Sequence, residues 1–303
     1  MSMAASPRKS SRKVSKRPKR AAKRAKPSSR GARRPARTSK PQRKAKAPVR
    51  KAAKPRKAPT RSAKSAPRKA ASRPITKRPA SGSKPAGKKL RLVLFGAGGM
   101  VGSRIAKEAV SRGHHLVAVQ RNPGGLDLDG RHIMPVSGDA TDPNSVAQLG
   151  KGADVIASAV SPRDPPGADT LRRAAKALLA GSRKAGVKRL VVVGGAGSLS
   201  VDPSTMLIDS PQFPDESKPE AREHLDALHV FRAQGQGVDW TFVSPAAVVF
   251  PGKRTGKYQA GNDNLLVDKT GQSQISAEDY AVAFIDEVER GANKGRRMAV
   301  AWP

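Results

Sequence analysis

The 303-residue sequence contains no cysteine, which excludes disulfide bonds, thiolate nucleophiles and cysteine-ligated metal centres. It also lacks any apolar run near the length of about 20 residues that a membrane-spanning helix needs. No apolar segment of the kind found in secretory signal peptides stands near the first residue. We therefore expect a cytoplasmic protein with no transmembrane segment and no metal site.

Acidic and aromatic residues are missing from the first 89 positions. This segment holds 34 of the 60 lysines and arginines, whereas the other 26 nearly balance the 23 acidic residues further along the chain. Its twelve prolines exclude a long helix, and it has few large apolar side chains with which to offset the entropy of ordering. We predict a disordered basic tail over residues 1–89 and one folded domain over residues 90–303.

Strand-like and helix-like patterns alternate along residues 90–303. Apolar runs predict strands at Leu90–Phe95, His115–Gln120, His132–Ser137, Asp154–Val160, Arg189–Gly194, Val238–Ser244 and Arg297–Trp302. Helical patterns cover Met100–Arg112, a face from Leu171 to Ser182, Glu220–Gln234 and Ala277–Arg290, while Ser200–Pro219 is interpreted as a long loop. Such alternation, with strands that are apolar on both faces, predicts a doubly wound α/β domain whose parallel sheet is covered on both sides.

Four glycines stand between the first predicted strand and the first predicted helix, in the stretch GAGGMVG from Gly96 to Gly102. Their spacing is G-x-x-G-x-x-G or, counted differently, G-x-G-x-x-x-G. A tight turn of this kind needs residues without a Cβ atom, and bare amides at the start of a helix bind the oxygens of a pyrophosphate. The position after a strand and before a helix predicts a dinucleotide-binding domain of the Rossmann type. The predicted cradle comprises Gly96, Gly98, Gly99, Met100, Val101 and Gly102.

The end of the second strand bears on the choice between NADH and NADPH. Sites that prefer NADH usually place an acidic residue there to bind the ribose 2′-hydroxyl, but this sequence has Gln120 followed by Arg121. Arg104 in the first helix is a further basic residue near the turn. Because a guanidinium binds a 2′-phosphate in a fork, the sequence favours NADP(H) over NAD(H).

Five stretches, in this order, carry a family resemblance: FGAGGMVGSRIA, GDATD, ASAV, RLVVVGGAGSL and DWTFVSPA. They resemble the atypical short-chain dehydrogenase/reductase superfamily, and more narrowly its NAD(P)H-binding flavin-reductase branch, which includes the biliverdin/flavin reductases. The run RTGKYQAGNDNLLVDKTGQSQISAEDYAVAFIDEVE is similar to the NADH-flavin reductases of that branch. The resemblance covers residues 90–303 and leaves out the tail. It implies that Asp139 and Ala140 face the adenine, that Ala157, Ser158 and Ala159 line the ribose and nicotinamide, and that Ser244, Pro245 and Ala246 close over the nicotinamide.

Typical members of the superfamily protonate a carbonyl with a Tyr-x-x-x-Lys pair, and neither tyrosine of this chain forms one. Tyr258 is followed four residues later by Asn262, and Tyr280 by Phe284. A flavin suits this absence, because its reduced ring takes a proton from solvent and catalysis then depends mainly on positioning two rings. We therefore expect flavin as a substrate and not as a prosthetic group. His224 is a weak candidate for a proton donor, and the alternative interpretation is a half-exposed helix residue without a catalytic role.

The basic tail repeats short motifs such as SPRK, KPRK and APRK, and it is similar to the tails of linker histones and bacterial histone-like proteins. A chain of this charge neutralises phosphates without reading bases. Non-specifically bound nucleic acid is therefore the expected partner of residues 1–89. The alternatives are an incidental solubilising extension and a transit peptide, against which the length and the prolines of the segment argue.

Three functions are consistent with these observations. The first is an NAD(P)H-dependent reductase of flavins or similar conjugated acceptors, associated with the nucleoid through its tail. Its acceptor would bind between the Gly195–Pro219 loop and the Ala246–Lys257 segment, which follow the carboxyl ends of strands. The second is a redox sensor that binds the dinucleotide without catalysis. The third is a nucleoid-associated protein in which the folded domain has only a structural role.

Overall fold

The structure, a computed structural model, describes residues 88–125, 132–162 and 169–303. The predicted disorder of the tail therefore concerns residues that lie outside the described ones, apart from Lys88 and Lys89. Lys88 Nζ lies 3.1 Å from Asp154 Oδ1, and the backbone N–H of Arg91 donates to Asp154 Oδ2 over 2.9 Å. Asp154 thus fixes the point at which the chain enters the sheet.

Ten strands and five α-helices follow one another in the described residues. The strands are β1 (Arg91–Phe95), β2 (His115–Gln120), β3 (Ile133–Ser137), β4 (Val155–Ser158), β5 (Arg189–Val193), β6 (Asp239–Ser244), β7 (Val248–Phe250), β8 (Gln259–Gly261), β9 (Gln274–Ser276) and β10 (Arg296–Ala301). The helices are α1 (Met100–Ser111), α2 (Pro143–Gly150), α3 (Thr170–Ala185), α4 (Lys218–Gln234) and α5 (Ala277–Arg290). Short 3-10 turns occur at Pro123–Gly125, Leu207–Asp209 and Asp215–Ser217.

Eight of these strands form one sheet in the order β3-β2-β1-β4-β5-β6-β10-β8. Neighbouring strands run parallel except β8, which is antiparallel to β10 at the edge. Strands β7 and β9 form a separate two-stranded parallel sheet. The strand order reverses between β1 and β4, which is where open α/β sheets bind ligands. The predicted doubly wound, Rossmann-type α/β fold is confirmed.

The helices cover both faces of the large sheet. Helices α1 and α5 pack together on one face, and α3 lies between α2 and α4 on the other. Side chains alternate along β1, so that Leu92 joins the first layer of the core and Val93 the second. The edge strand β3 departs from the predicted two-sided burial: Met134 is 51% exposed, and Pro135 is tolerated because it lies at an edge.

Helix α2 and the short strands β7, β8 and β9 are absent from the sequence-based assignment. Helix α2 has clear local signals, because both carboxylate oxygens of Asp142 accept hydrogen bonds from the backbone N–H groups of Asn144 (2.9 Å) and Ser145 (3.2 Å), and Pro143 is the first helical residue. Its eight residues are too few for a distinct helical period. The predicted Ser200–Pro219 loop contains two 3-10 turns and the start of α4.

A network of buried charges connects α1, α5 and the segment after β7. The Glu108 carboxylate is 5% exposed and accepts hydrogen bonds from Arg112 and Arg254, each over 2.8 Å. Arg112 also donates to Asp286 over 2.7 Å, and the Tyr258 hydroxyl donates to Asp286 over 2.6 Å. Burial alone would raise the pKa of Glu108, but the two guanidinium groups hold this pKa below its ordinary value. The network therefore stabilises the fold in its charged form.

Replacing Glu108 with glutamine (E108Q) should lower the free energy of unfolding at pH 7 by about 1–3 kcal/mol, because an amide does not pair with two cations. A carboxyl whose pKa is lowered by folding contributes stability above its unfolded-state pKa and loses it as the pH falls through the folded-state pKa. The difference between wild type and E108Q should thus shrink between about pH 5 and pH 3. Urea unfolding at several pH values measures this difference in free energy. Glu216→Gln, which replaces an exposed carboxylate, is the control. A difference independent of pH would contradict this account.

Candidate functional site

The turn between β1 and α1 is compressed against the two neighbouring strands. Gly96 has φ +80°, a left-handed conformation, and its N–H donates to Val119 O at the end of β2 over 2.9 Å. A Cβ atom on Gly96 would lie 2.6 Å from Ala159 O, just after β4, and one on Gly102 would lie 2.0 Å from Gly96 O. Both glycines are therefore required by close backbone contacts, which place the start of α1 over the point where the strand order reverses.

Of the two remaining glycines of the turn, one has open space on its outer side and the other contacts a side chain. A Cβ atom on Gly99 would meet only Gly96 O at 3.6 Å, so a side chain here has room within the protein itself. Gly99 is also the N-cap of α1, and no side chain accepts a hydrogen bond from the first amides of this helix. A Cβ on Gly98 would instead collide with the Gln120 side chain at 2.4 Å. Bare amides beside an open surface fit the diphosphate of a dinucleotide, with Met100 and Val101 contributing backbone N–H groups.

Gln120 and Arg121 lie where the sequence analysis places the adenosine ribose. The Gln120 amide packs on Gly98, and its Nε2 is buried without a partner among the described residues. The Arg121 side chain is exposed and forms no ion pair with the described residues. Arg104 is not available in the same way, because its Nε donates to Glu278 Oε1 of α5 over 3.0 Å. Of these two arginines, Arg121 is therefore the one whose guanidinium is not engaged by a described carboxylate.

The residues that the resemblance assigns to the adenine follow β3. Asp139 is exposed, and its Oδ1 accepts hydrogen bonds from the Thr141 N–H and hydroxyl, each over 2.8 Å. Its own N–H donates to Ser145 Oγ over 3.0 Å. Ala140 is 5% exposed and belongs to the core layer under α2 and α3. In this structure Asp139 shapes the turn, and Ala140 offers little more than its backbone to a ligand.

The residues assigned to the ribose and nicotinamide end β4 and β6. Ala157 is fully buried in the core, Ser158 is 3% exposed, and Ala159 contacts Gly96 through its backbone. Ser244 is also fully buried, and its hydroxyl has no hydrogen-bond partner among the described residues. Pro245 is half-buried and follows it directly at the same edge of the sheet. These residues thus lie at the carboxyl ends of β4 and β6, the edge of the sheet at which the glycine turn also lies.

Neither tyrosine is placed to protonate a substrate. The Tyr280 hydroxyl is fully buried and donates to Val243 O over 2.7 Å, and burial raises its pKa well above the ordinary value. Tyr258 donates to Asp286, and burial followed by this hydrogen bond raises its pKa as well. Both hydroxyls are therefore structural groups that hold their protons.

His224 is more buried than the half-exposed helix residue that the sequence analysis gives as its alternative interpretation. It is 8% exposed on α4, and its ring lies directly against Gly195, where a Cβ atom would come within 2.8 Å of the ring Cγ. The ring also stands edge-on to Phe242 of β6, with 6.4 Å between the centroids. His224 therefore lies at the carboxyl ends of β5 and β6, beside the crevice.

Two buried groups that the sequence analysis does not single out fix the predicted acceptor walls. Arg297 of β10 donates from Nη1 to both the carbonyl (2.9 Å) and the hydroxyl (2.8 Å) of Ser198 in the loop after β5. Its Nε donates to Asp263 Oδ1 over 2.9 Å. In α5, Asp279 Oδ1 accepts the N–H groups of Thr255 and Gly256, each over 2.7 Å. The sequence marked only the start of α5 at Ser276, and neither contact has a local signal because each joins residues that are distant in sequence.

Neither a membrane span nor a metal centre is found in the part of the chain that the structure describes. Within residues 88–125, 132–162 and 169–303, no helix combines the length and apolarity needed to cross a bilayer. The same residues contain no group of three or more histidine, aspartate or glutamate side chains arranged to hold a metal ion.

Comparison with known proteins defines the family. The model of a family described as NAD(P)H-binding matches residues 96–290, which begin at the glycine turn and end with α5. This match spans more than half of the chain and includes the whole candidate crevice. The chain belongs to this NAD(P)H-binding family.

Solved structures of similar proteins share the fold, but the functions for which they are named differ. An exported-protein candidate from Burkholderia pseudomallei is 47% identical, with 70% of this chain and 100% of that chain covered and a TM-score of 0.64. An epimerase candidate from Bacteroides thetaiotaomicron is 37% identical, with 71% and 98% covered and a TM-score of 0.66. A candidate NADH-flavin reductase from Streptococcus pneumoniae is 32% identical, with 71% and 100% covered and a TM-score of 0.60. Each relative therefore matches about 70% of this chain over nearly its own full length.

Substituting Gly99 with leucine (G99L) should leave the fold intact and raise the Kd for NADPH at least about tenfold, because the new side chain has room in the protein but occupies the phosphate surface. Fluorescence titration and thermal unfolding provide the two measurements. Gly96→Ala is the contrasting variant, and it should lose about 1–3 kcal/mol of stability through strain and contact with Ala159. Wild-type affinity in G99L would contradict the proposed cradle.

Proposed function

We propose that the chain is an NADPH-dependent reductase of flavins or similar conjugated acceptors, with a basic tail that binds nucleic acid without sequence specificity. When bound, the reduced nicotinamide supplies a hydride to the acceptor. The observation that carries the proposal is the glycine turn, with its bare helix amides and the open surface above Gly99 at the switch point of the sheet. Membership of the NAD(P)H-binding family supports it.

Each part of the dinucleotide has candidate residues in this crevice. The backbone from Gly98 to Gly102 would hold the diphosphate, and Arg121 the 2′-phosphate. Asp139 and Ala140 would lie beside the adenine. Ser158, Ala159, Ser244 and Pro245 would surround the nicotinamide, and the Ser244 hydroxyl, which has no partner among the described residues, would be the candidate to bind its carboxamide.

A flavin acceptor agrees with the chemistry of the site. The two tyrosines hold their protons in structural hydrogen bonds, so a ketone would lack the usual acid. A flavin accumulates negative charge that is delocalised over its ring, and it requires position more than acid strength. The likeness to the Streptococcus pneumoniae protein, itself described as a candidate NADH-flavin reductase, supports the same class of acceptor.

The first test follows the oxidation of NADPH at 340 nm by the full chain, with FMN or riboflavin as acceptor and with NADH in parallel. Turnover that requires both the dinucleotide and the flavin is the expected result. Dinucleotide binding without turnover would identify the alternative function, a redox sensor. The engagement of both tyrosine hydroxyls in structural hydrogen bonds is consistent with this alternative as well. Absence of binding would leave the folded domain with a structural role only.

Arg121→Ala should weaken NADPH binding about tenfold or more, because a charge-assisted hydrogen bond to a phosphate contributes about 1.5–3 kcal/mol. Binding of NADH, which lacks the phosphate, should change little. Arg296→Ala is the matched control, because Arg296 is exposed at the beginning of β10, four strands away from β1 in the sheet and far from β2. Equal losses for both dinucleotides would show that Arg121 does not distinguish them.

The proposal for the tail rests on its charge of +34 without any acidic residue. If about ten phosphates are engaged, the logarithm of the DNA-binding constant should fall with the logarithm of salt concentration at a slope of about −9. A nucleoid-associated protein in the cytoplasm would follow from such binding. Mobility shifts of the full chain and of residues 88–303, with several unrelated duplexes, test this point. Binding that survives high salt, or that selects one duplex, would contradict it.

A further inference from the structure

The imidazole of His224 has two different surroundings. Its Nε2 lies 3.8 Å from Glu220 Oε1, one helical turn earlier in α4, and the Glu220 side chain is 58% exposed. Its Nδ1 is buried and has no hydrogen-bond partner among the described residues. Leaving a buried polar nitrogen unpaired costs about 1–3 kcal/mol, so Nδ1 calls for a bound water or ligand.

A small cavity borders the imidazole ring of His224. Its volume is about 10 Å³, and Ser158 is the other polar residue of its lining. The rest of the lining is apolar and comes from α3, α4, β5, β6 and Val160 after β4. Such a volume holds roughly one water molecule. Ser158, which the proposed function places beside the nicotinamide, and His224 thus line the same cavity.

Few charges act on this ring. The neighbouring imidazole lowers the pKa of the Glu220 carboxyl. The neighbouring Glu223 is buried, and its Oε2 accepts the N–H of Leu171 over 3.1 Å at the start of α3. Within the described residues, no charged side chain of α3, β5 or β6 lines the cavity. The immediate charged partner of His224 is therefore Glu220.

We infer that His224 supplies the proton of the reduction through one water molecule held in this cavity, with Glu220 as a positioning residue. The inference rests on the proposed reductase function. The acceptor gains two electrons and one hydrogen as hydride from NADPH, and the water gives it a proton. The water regains a proton from Nδ1, so the N–H bond breaks and a neutral imidazole remains. Solvent reprotonates the ring after the product leaves.

The test compares His224→Gln with His229→Gln, an exposed histidine on the same helix. H224Q should lower kcat for NADPH oxidation with FMN by about 10- to 100-fold and leave the Kd for NADPH unchanged. This factor is at or below the lower end of what a general acid contributes, because solvent can supply part of the protons that a flavin takes up. H229Q should match the wild type in both respects.

A second variant covers the risk that H224Q disturbs the core. Glu220→Gln alters a more exposed side chain and should lower kcat by a smaller factor, with the Kd for NADPH unchanged, because the ring loses the carboxylate that positions it. Equal kcat in wild type, H224Q and E220Q would overturn the inference and leave the reductase proposal in place. A wild-type protein that binds NADPH without oxidising it would overturn both.

Discussion

The fold depends on close backbone contacts at the point where the strand order of the sheet reverses. Gly96 adopts a left-handed conformation between Val119 O and Ala159 O, and Gly102 lies against the Gly96 carbonyl. These contacts leave no space for a Cβ atom, so they fix the direction of α1 relative to β1, β2 and β4. The first amides of α1 are consequently held where the strand order reverses, the position at which we propose that the dinucleotide binds.

Buried polar groups fix the loops around this crevice. Asp279 is fully buried, and its carboxylate accepts the Thr255 and Gly256 N–H groups, the Thr255 hydroxyl and the Trp302 indole N–H. Arg297 is 5% exposed and binds Ser198 and Asp263. A buried charge is costly when it loses its partners, and each loop is therefore held in one arrangement. Preorganisation of this kind suits a site that works by placing two rings in contact.

The sequence predicted the strands of the parallel sheet and the glycine turn, because runs such as Leu92–Phe95 and the spacing of Gly96–Gly102 are local signals. It did not reveal β7, β8 and β9, whose three-residue lengths are too short for a period. The surroundings of His224 depend on Gly195 and Phe242, which are distant in sequence and adjacent only in the fold. The same is true of Arg297 and Ser198, 99 residues apart. Long-range contacts of charged groups leave no pattern along one chain.

The ion pair of Lys88 with Asp154 has a topological consequence. Because Asp154 also receives the Arg91 N–H, the polypeptide joins the domain at the amino ends of β1 and β4. The glycine turn lies at the other end of β1, five residues or roughly 16 Å away along the strand. Lys88 and the glycine turn therefore lie at opposite ends of β1. A ligand that approaches the turn meets the carboxyl edge of the sheet and not the edge at which Lys88 enters it.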